Sequence, residues 1–444
     1  MGKYFGTDGI RGKANDSLTV KTAFAVGSYL GYLFSRESKG KILIGRDTRI
    51  SSAMFEAAIT AGATAAGCDV YLLKVAPTPA IAYLVKSEGF DCGVMISASH
   101  NPYYDNGIKV FDAQGSKLSA SIEAEIERYI DGEVTIPFAV DGEIGQSFDY
   151  SQGLNKYLDW MASLFDFDCQ NKRVVIDCAN GSAVATAQRM LNRFGCDVRA
   201  FHNTPDGINI NTDCGSTHPQ HLQKAVVELG ADVGFAFDGD ADRLIAVDEF
   251  GNLIDGDKIL YACGLHLKKY HGLSKNSIVT TVMSNLGLYK ALQKEDINYI
   301  QTQVGDKYVY EQMLLQDVKL GGEQSGHIIF KDHATTGDGL LTAMKLLEVM
   351  ADSGQSLAAL TEPVAIFPQL LKNVRVNDKQ AVMEDEQLKE KIRVLEEQLH
   401  GNGRILVRPS GTEPLVRVMV EAQSEELCNL LVGEVVELIK TKGL

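Results

Sequence analysis

Three aspartates follow an apolar stretch of the chain at alternate positions. Residues 236–247 are AFDGDADRLIAV, so Asp238, Asp240 and Asp242 come directly after a predicted buried strand. Because alternate residues of an extended segment face the same side, the three carboxylates should converge. Converging carboxylates repel one another unless a cation neutralises them, and hard oxygen ligands of this kind suit Mg²⁺. The sequence therefore predicts a magnesium site in this loop.

Two other interpretations of the aspartate motif are weaker. An EF-hand calcium loop also begins with D-x-D-x-D, but here an apolar strand follows where a bidentate glutamate is needed. A solvated acidic turn would explain an isolated motif, but the strand before it, Arg243 after it and the strand beyond it disfavour that interpretation.

A serine and a histidine stand side by side in a polar loop between two predicted strands. The first strand ends at Ser97, Ser99 follows in the loop beside His100, and Lys109 lies on the return strand. A serine hydroxyl in this place can act as a nucleophile or carry a phosphoryl group, with Lys109 as a candidate for proton transfer. A Ser-His-Asp hydrolase is disfavoured, because adjacent Ser and His cannot easily form the required hydrogen bond and no G-x-S-x-G turn is present. The alternative is that Ser99 caps a turn and Lys109 is a surface charge.

Arginines and hydroxyls surround a glycine in residues 408–417, RPSGTEPLVR. The Arg408 guanidinium, the Ser410 and Thr412 hydroxyls and the Gly411 N–H would form a cup for a phosphate dianion, with Arg417 as a further contact. An ordinary hairpin turn accounts for the glycine but not for the two arginines. Three more arginines stand near glycines in this acidic chain: Arg11, Arg46 and Arg49.

A second glycine-flanked loop, GGEQSGH (321–327), carries Glu323, Ser325 and His327. Alternating acceptors and donors on such a loop suit sugar hydroxyls, although this signal is weak when taken alone. Asp338 in TTGDG is predicted to cap the helix that follows.

Strand-like and helix-like segments alternate from the N-terminus to about Pro363, which predicts α/β domains with mixed, mainly parallel sheets. A strand–polar turn–helix step recurs at GRDTRISS, DCANGSA and VMSNLG, which indicates a weak internal repeat. After Pro363 and Pro368 a smaller α+β unit is predicted, with a helix at 381–398. The predicted domains are 1–150 with the serine loop, 151–254 with the aspartate loop, 255–365 with the GEQSGH loop and 366–444 with the phosphate cup.

Composition excludes several classes of protein. The chain has 444 residues, of which 45% are hydrophobic, and a net charge of −15, which disfavours nucleic-acid binding. No apolar run is long enough for a membrane helix, and the N-terminus lacks an apolar signal region. Eight cysteines without a C-x-x-C pair favour reduced thiols, so we expect a cytoplasmic protein that binds neither membranes nor nucleic acid.

The motifs FGTDGIRG, SASHNP…DNGIK, DGDADR, GEQSGH and RPSGTEP, in this order, resemble those of the α-D-phosphohexomutase superfamily. The resemblance spans residues 5 to 417 and implies four domains around a central cleft. It makes Ser99 a phosphoserine that shares one Mg²⁺ with the three aspartates, and it assigns the GEQSGH loop to the sugar and the RPSGTEP loop to the non-reacting phosphate. Five residues match those near the transferring phosphoryl group or assisting proton transfer: Arg11, His100, Lys109, Arg243 and His327.

The resemblance implies an isomerase that moves a phosphoryl group through a phosphoserine and a sugar 1,6-bisphosphate, which also serves as activator. Ala241 and Gln324 are most similar to the branch that interconverts glucosamine 6-phosphate and glucosamine 1-phosphate and so feeds UDP-N-acetylglucosamine synthesis. The alternatives are a phosphomannomutase/phosphoglucomutase of the same fold and a non-catalytic sugar-phosphate-binding protein. Lys307 stands where the family more often has arginine, which loses a bidentate fork, so we leave it out of the site. The oligomeric state stays open, a homodimer being one option.

Overall fold

The computed structural model describes residues 2–170, 172–410 and 414–442. The chain divides into two compact units. Unit 1 comprises Met1–Met283 and Ile297–Glu362, and unit 2 comprises Ser284–Asp296 and Pro363–Leu444.

Unit 1 contains three sheets, each covered by helices. The strands of the first sheet are β1 (Phe5–Gly6), β2 (Gly9–Lys13), β3 (Lys41–Arg46), β4 (Asp69–Val75), β5 (Cys92–Ile96), β6 (Asp105–Asp112) and β7 (Ser147–Asp149). Those of the second are β8 (Arg173–Asp177), β9 (Asp197–Phe201), β10 (Val233–Phe237), β11 (Leu244–Val247) and β12 (Leu253–Ile254). Those of the third are β13 (Ser277–Thr281), β14 (Asn298–Thr302), β15 (Leu320–Gly322) and β16 (Ile328–Phe330).

The helices of unit 1 connect and cover these strands. They are α1 (Val20–Phe34), α2 (Ser52–Ala65), α3 (Thr78–Glu88), α4 (Ala120–Ile130), α5 (Gly153–Ala162), α6 (Ala187–Arg193), α7 (Gln220–Leu229), α8 (Gly256–His266), α10 (Asp306–Gln316), α11 (Gly339–Ser353) and α12 (Leu357–Thr361). A π-helical turn, Leu267–His271, continues α8. Among the described residues, no helix combines the length and the apolarity needed to cross a membrane.

The same four-strand arrangement occurs once in each sheet of unit 1. The spatial orders β6-β5-β3-β4, β11-β10-β8-β9 and β16-β15-β13-β14 are equivalent. In each, three strands are parallel and the last in the chain returns antiparallel to the third. The structure therefore confirms the predicted internal repeat and the mixed, mainly parallel sheets.

Unit 2 is built on a three-stranded antiparallel sheet in the order β17-β19-β18. Its strands are β17 (Gln369–Arg375), β18 (Arg404–Pro409) and β19 (Leu415–Glu421), and its helices are α9 (Leu286–Lys294), α13 (Lys379–Glu384), α14 (Glu386–Gln398) and α15 (Glu425–Thr441). One apolar face of the sheet packs against α14 and α15, with Val416, Val418 and Val420 buried. The smaller α+β unit predicted from the sequence is thus present.

Some predicted elements differ from the observed ones. The sequence SAVATAQRMLNRFG (182–195) predicts one continuous helix, but the structure has a short 3-10 turn, Ser182–Ala185, followed by α6, with a break at Thr186. The helix predicted at 381–398 is two helices, because Asp385 leaves helical geometry and caps α14 by accepting a bond from Leu388 N–H at 2.7 Å. Asp338 caps α11 as predicted, accepting from Leu341 N–H at 2.9 Å.

Candidate active site

Three loops of unit 1 occupy equivalent positions, each between the third and fourth strands of the repeat. The serine loop (residues 97–104) joins β5 to β6, the aspartate loop (residues 238–243) joins β10 to β11, and the histidine loop (residues 323–327) joins β15 to β16. Ligand-binding groups in α/β folds collect at the carboxyl ends of parallel strands. The repeat therefore places the predicted serine, aspartate and histidine motifs of unit 1 in comparable positions, whereas Arg11 and Lys109 lie on strands β2 and β6.

The serine loop presents Ser99 directly to the aspartate loop. Ser99 is buried, its φ of 51° lies in the left-handed region, and its Oγ donates to Asp238 Oδ2 at 2.5 Å. His100 Nδ1 is 3.4 Å from the same hydroxyl. A Cβ added to Gly239 would lie 2.4 Å from the Ser99 carbonyl oxygen, so only glycine permits this close approach.

A buried ion pair between Asp47 and Arg49 supports the serine loop. Asp47 and Arg49 follow β3, and Arg49 Nε donates to Asp47 Oδ2 at 2.7 Å with both side chains inaccessible to solvent. The same carboxylate oxygen accepts from Ser97 Oγ at 2.7 Å, and Ser97 Oγ accepts from Ser99 N–H at 2.9 Å. The left-handed backbone of Ser99 is therefore fixed by a chain of hydrogen bonds that starts at Asp47.

Arg49 also donates to backbone carbonyls of this region. Its Nη2 is 2.8 Å from the Ser99 carbonyl and its Nη1 donates to the carbonyls of Asp105, at 3.1 Å, and of Pro102. The Arg49 donors singled out in the sequence are therefore used inside the protein. Arg46 instead donates to Glu56, from Nε at 3.2 Å.

The three aspartates converge as predicted. One oxygen from each of Asp238, Asp240 and Asp242 lies within 4.8 Å of the others, and all three residues are buried. Within the described chain, Oδ1 of Asp240 and Oδ1 of Asp242 are buried without a hydrogen-bond partner. Buried carboxylate oxygens left unpartnered are costly, and a hard divalent cation would satisfy them, so the donor set fits Mg²⁺.

Lys109 is the cation that faces these carboxylates. Its Nζ lies 2.8 Å from Asp240 Oδ2, 3.1 Å from Asp242 Oδ2 and 3.0 Å from Asp8 Oδ2. Burial alone would lower the pKa of Lys109, but the charges of Asp240, Asp242 and Asp8 raise it well above its usual value. Lys109 is thus no surface charge: it is a buried ammonium that balances the acidic cluster.

The neighbouring charges move the aspartate pKa values in opposite directions. Burial and the charges of Asp242 and Asp240 raise the pKa of Asp238 well above its usual value. Burial also acts to raise the pKa of Asp242, but the charges of Lys109, His327 and Arg243 together outweigh it and the pKa is lowered. The Ser99 hydroxyl therefore bonds to the carboxylate whose pKa is raised, not to the one whose pKa is lowered.

An open cavity of about 550 Å³ adjoins the aspartate loop. Arg11 and Arg243 line it, together with Asp8, which bonds to Arg11 Nη2 at 2.5 Å. The Nε atoms of both arginines are buried without a hydrogen-bond partner among the described residues, and that of Arg243 lies 3.9 Å from Asp242 Oδ1. Burial and the charges of Arg243 and Arg11 lower the pKa of His100 to about 4. Two of the predicted cations, Arg11 and Arg243, thus meet at one cavity, which Asp242 of the aspartate loop also lines.

The histidine loop closes another side of the same cavity. Glu323, Ser325 and His327 all line it. Glu323 Oε1 accepts from Gly305 N–H at 3.0 Å, and His327 Nε2 accepts from Gly337 N–H at 3.2 Å. The same Nε2 lies 3.6 Å from Asp306 Oδ2, whereas Nδ1 of the ring is buried without a hydrogen-bond partner in the described part of the chain.

Gln324 also lines the cavity, and its side-chain amide has a fixed orientation. Its Nε2 donates to Asp255 Oδ2 at 3.2 Å, which leaves Oε1 as the amide atom without a hydrogen bond among the described residues.

Ala241 differs from Gln324: it is buried in the aspartate loop with a φ of 55°, and its carbonyl accepts from Gly339 N–H at 3.0 Å. Ala241 therefore shapes its loop and offers no surface to a ligand.

Several residues that join the loops of unit 1 are not predicted from the sequence. Lys117 Nζ lies 2.8 Å from Asp8 Oδ1 and 2.7 Å from Asp306 Oδ2, which links the first sheet to the third. Thr78 Oγ1 donates to Asp240 Oδ2 at 2.5 Å, and Asn211 Nδ2 donates to the Ser99 carbonyl at 2.8 Å. Only Asp8 carried a signal, because it lies inside the FGTDGIRG motif. Lys307, one residue after Asp306, lines a separate cavity of about 160 Å³.

In unit 2, two of the predicted phosphate ligands face each other across a pair of strands. Arg408 of β18 is directly opposite Arg417 of β19, and the Nε atom of each is buried without a partner among the described residues. Burial and the Arg417 charge lower the pKa of Arg408. Like charges in opposed positions destabilise a sheet, so the pair suits an anion. Ser410, which follows Arg408 by two residues in the sequence, is also buried. Gly411 and Thr412 lie outside the described residues.

Comparison with protein-family models gives four matches that follow one another along the chain. The models of the phosphoglucomutase/phosphomannomutase α/β/α domains I, II and III match residues 2–135, 155–251 and 255–367. The model of the phosphoglucomutase/phosphomannomutase C-terminal domain matches residues 371–438.

Curated relatives cover the full chain. The phosphoglucosamine mutase of Lachnoclostridium phytofermentans is 52% identical over 444 residues, which is 100% of this chain and 99% of the relative. That of Bacillus subtilis is 50% identical over 444 residues, again with 100% and 99% coverage.

Solved structures show the same fold at lower identity. A Burkholderia thailandensis phosphoglucomutase/phosphomannomutase family protein superposes with a TM-score of 0.80 at 24% identity, covering 100% of this chain and 99% of that one. The Aspergillus fumigatus N-acetylphosphoglucosamine mutase, solved with GlcNAc-6P and magnesium, gives 0.72 at 20% identity, with 99% and 96% coverage.

Proposed function

The chain belongs to the phosphoglucomutase/phosphomannomutase family and is a phosphohexose mutase, and we propose that its substrate pair is glucosamine 6-phosphate and glucosamine 1-phosphate. The observation that carries the proposal is the contact between the Ser99 hydroxyl and Asp238 inside a buried aspartate cluster. The choice of an amino sugar as substrate is supported by the names of the relatives, because those that are about half identical to this chain over their full length are called phosphoglucosamine mutases.

The proposed reaction has two phosphoryl transfers. Phosphorylated Ser99 gives its phosphoryl group to the free hydroxyl of the sugar monophosphate: the P–Oγ bond breaks, a P–O bond to the sugar forms, and Ser99 takes up a proton. The bisphosphate then turns over, its other phosphoryl group returns to Ser99, and the isomeric monophosphate leaves. A bisphosphate that escapes leaves Ser99 unphosphorylated, so added sugar 1,6-bisphosphate should act as the activator.

We propose that Asp238, Asp240 and Asp242 hold one Mg²⁺ together with an oxygen on Ser99. A bound Mg²⁺ supplies positive charge to a phosphoryl group and so lowers the barrier to its transfer. The unpartnered Oδ1 atoms of Asp240 and Asp242 support this assignment. Activity should disappear in excess EDTA and return with Mg²⁺, and Asp240→Asn should weaken the metal without a large change in side-chain size. Full activity in EDTA would contradict this part of the proposal.

The groups around Ser99 fit distinct tasks in phosphoryl transfer. Arg11 and Arg243 have unpartnered, buried Nε atoms and would donate to phosphoryl oxygens. Lys109 would hold or move the proton at its Nζ, which already contacts three carboxylates. His100, with its lowered pKa, is neutral at pH 7 and would accept a hydrogen bond, whereas His327 would form a hydrogen bond through Nδ1.

Acceptors on the histidine loop support the choice of an amino sugar. An ammonium group at C2 needs acceptors, and the Glu323 carboxylate and the free Oε1 of Gln324 both belong to the cavity wall. Ser325 is exposed on the same loop and would bind a sugar hydroxyl. A site that satisfies a specific polar group rejects analogues that lack it, which is the physical basis expected for selectivity.

We further propose that Arg408 and Arg417, with Ser410, Gly411 and Thr412, bind the phosphate that does not react. The like charges of the opposed arginines support an anion at this place in the sheet of unit 2. Arg408→Ala should raise KM more than it lowers kcat, because it removes binding that is equal in the ground and transition states. A defect in kcat alone would place Arg408 at the reacting end.

The decisive experiment is turnover on a panel of hexose 6-phosphates, each with a trace of its 1,6-bisphosphate. Glucosamine 6-phosphate should be preferred over glucose 6-phosphate by roughly 10–10³-fold in kcat/KM, and mannose 6-phosphate should be poorer still. Equal turnover of glucose or mannose phosphates would favour a phosphomannomutase/phosphoglucomutase, and no turnover on any sugar would favour a binding protein.

The eight buried free thiols of this chain suit a reducing compartment, so we place the reaction in the cytoplasm.

A further inference from the structure

Besides the aspartate loop, two groups of side chains in the described residues have metal-ligating atoms close together. The first is Asp177, His202 and Cys214. Its carboxylate is already occupied, because Asp177 accepts from Ala179 N–H and Gly215 N–H, both at 2.9 Å, and lies 2.9 Å from His202 Nδ1. This first group is therefore a hydrogen-bonded support for the loop after β8 and leaves little room for an ion.

The second group is His266, His271 and Asp352, whose ligand atoms all lie within 4.8 Å of one another. His266 Nε2 is 2.8 Å from Asp352 Oδ2, and the ring centroids of the two histidines are 5.2 Å apart. His266 is buried, whereas His271 and Asp352 are exposed to solvent. The group thus has one firmly held imidazole and two ligands that an ion could reach from outside.

A π-helical turn is what brings the two histidines together. His266 is the last residue of α8, and the turn Leu267–His271 follows it before Gly272 ends the helix at a φ of 75°. In an α-helix, residues five apart lie on different faces, because the repeat is 3.6 residues. In a π-turn, with its i to i+5 bonding, the same two residues stack on one face. Such turns are rare and are frequently found at functional sites.

Two imidazoles and one carboxylate form a donor set with a clear metal preference. Nitrogen and oxygen ligands of this type suit Zn²⁺, with bonds of about 2.0–2.2 Å, better than Mg²⁺, which takes oxygen ligands. Small side-chain rotations of the exposed His271 and Asp352 would bring three ligands to one ion, with the remaining position open to water.

We propose that His266, His271 and Asp352 form a second metal site, for Zn²⁺, separate from the magnesium site at Asp238, Asp240 and Asp242. It lies at the C-terminal end of α8, and the Asp255 cap at the N-terminal end of that helix bonds to Gln324 of the histidine loop. An eleven-residue helix is about 16 Å long, so the two ends are well separated. The ion would tie α8 to the end of α11, where Asp352 lies.

The test measures zinc bound to the full-length protein during dialysis in excess Mg²⁺, with metal analysis of the retained fraction. The wild type should retain one more Zn²⁺ per chain than His271→Ala, and Asp352→Asn should weaken zinc by at least about tenfold, since even indirect partners of a metal ligand are commonly worth 10–100-fold. His400→Ala removes an exposed histidine of unit 2 and should leave zinc binding unchanged.

A second readout locates the ion. Zinc should slow amide hydrogen exchange at residues 267–272 in the wild type but not in His271→Ala, while mutase activity in Mg²⁺ should be the same in both and shows that the variant is folded. Equal zinc retention by the wild type and His271→Ala, or zinc-dependent protection confined to the aspartate loop, would overturn the proposal.

Discussion

The serine loop and the histidine loop hold the same position in their sheets but use their polar groups in opposite ways. In the serine loop, the Ser99 backbone is bound on both sides: its N–H donates to Ser97, and its carbonyl accepts from Arg49 and from Asn211. In the histidine loop, a backbone N–H donates to the side chain of each of Glu323 and His327, and both residues line the cavity.

The buried acids behind the two loops also differ. Asp47 supports the serine loop and is paired with the Arg49 guanidinium. Asp338 lies behind the histidine loop and directly follows Gly337, whose N–H donates to His327. The Asp338 carboxylate accepts from Tyr157 OH at 2.7 Å and caps α11. Burial raises the pKa of Asp338 to about 6.

The difference follows from what each loop has to do. A covalent carrier must hold one atom within a fraction of an ångström of the reacting position, so its loop is tied on every side. A recognition loop must leave donors and acceptors free until substrate arrives, and it tolerates a weaker support. Four experiments, taken from the largest expected effect to the smallest, test this contrast.

Ser99→Ala should reduce mutase activity by at least about 10²-fold, because positioning and electrostatics cannot replace the covalent carrier. Peptide mapping of the isolated wild type should find one phosphate on Ser99, and none in the variant. Ser97→Ala is the matched control: it should keep the phosphate on Ser99 while loosening the loop. Phosphate mapped to Ser97 would remove Ser99 from its assigned role.

Arg49→Lys should lower kcat by roughly 10–10²-fold with little change in KM. Lysine keeps the charge beside Asp47, but its donors all lie on one nitrogen and cannot span the acceptors that the three nitrogens of Arg49 reach, so the serine is displaced. Steady-state kinetics with saturating bisphosphate measure the effect. Arg46→Lys, which alters a neighbouring arginine paired with Glu56, should be near wild type. Equal effects of the two substitutions would mean that Arg49 serves stability alone.

Asp338→Asn should change how stability depends on pH. A carboxyl with a raised folded-state pKa costs nothing at a pH below its unfolded pKa of about 3.9, and it costs the full amount above its folded pKa of about 6. Relative to the variant, the wild type should therefore gain roughly 2 kcal/mol of unfolding free energy as the pH falls from 7 to 4. Urea unfolding at both pH values measures this; parallel pH profiles would show that Asp338 is already ionised without cost.

Gln324→Ala should alter selectivity by roughly tenfold or less. Loss of one acceptor should lower kcat/KM for glucosamine 6-phosphate and leave glucose 6-phosphate nearly unchanged, because the uncharged C2 hydroxyl needs an acceptor less. The ratio of kcat/KM for the two sugars is the measured quantity. An equal loss on both sugars would assign Gln324 to the shape of the loop, through its bond to Asp255, and not to C2.

Local pattern was enough to predict many elements of the fold. Alternating apolar strands and capped helices predict the three α/β domains, and Asp338 caps α11 as expected. Helix α3 was not predicted, because seven of its eleven residues are buried and the amphipathic period is therefore weak. The break at Thr186 was missed for a related reason: a 3-10 turn and a helix share almost the same residue preferences.

The chemistry of the loops could be predicted from residue types and spacing: a serine beside a histidine, three aspartates at alternate positions and glycines where backbones meet. These features are local, since residue type and spacing are enough to define them. Which groups pair with one another became visible in the folded chain alone. Lys109 forms ion pairs with Asp8 and with Asp240, which belong to the loops of two different sheets. Arg49 donates its hydrogen bonds to carbonyls of the serine loop, and Lys117 forms an ion pair with Asp306. A charge takes its role from the partners that burial brings near it, and those partners lie far away along the chain.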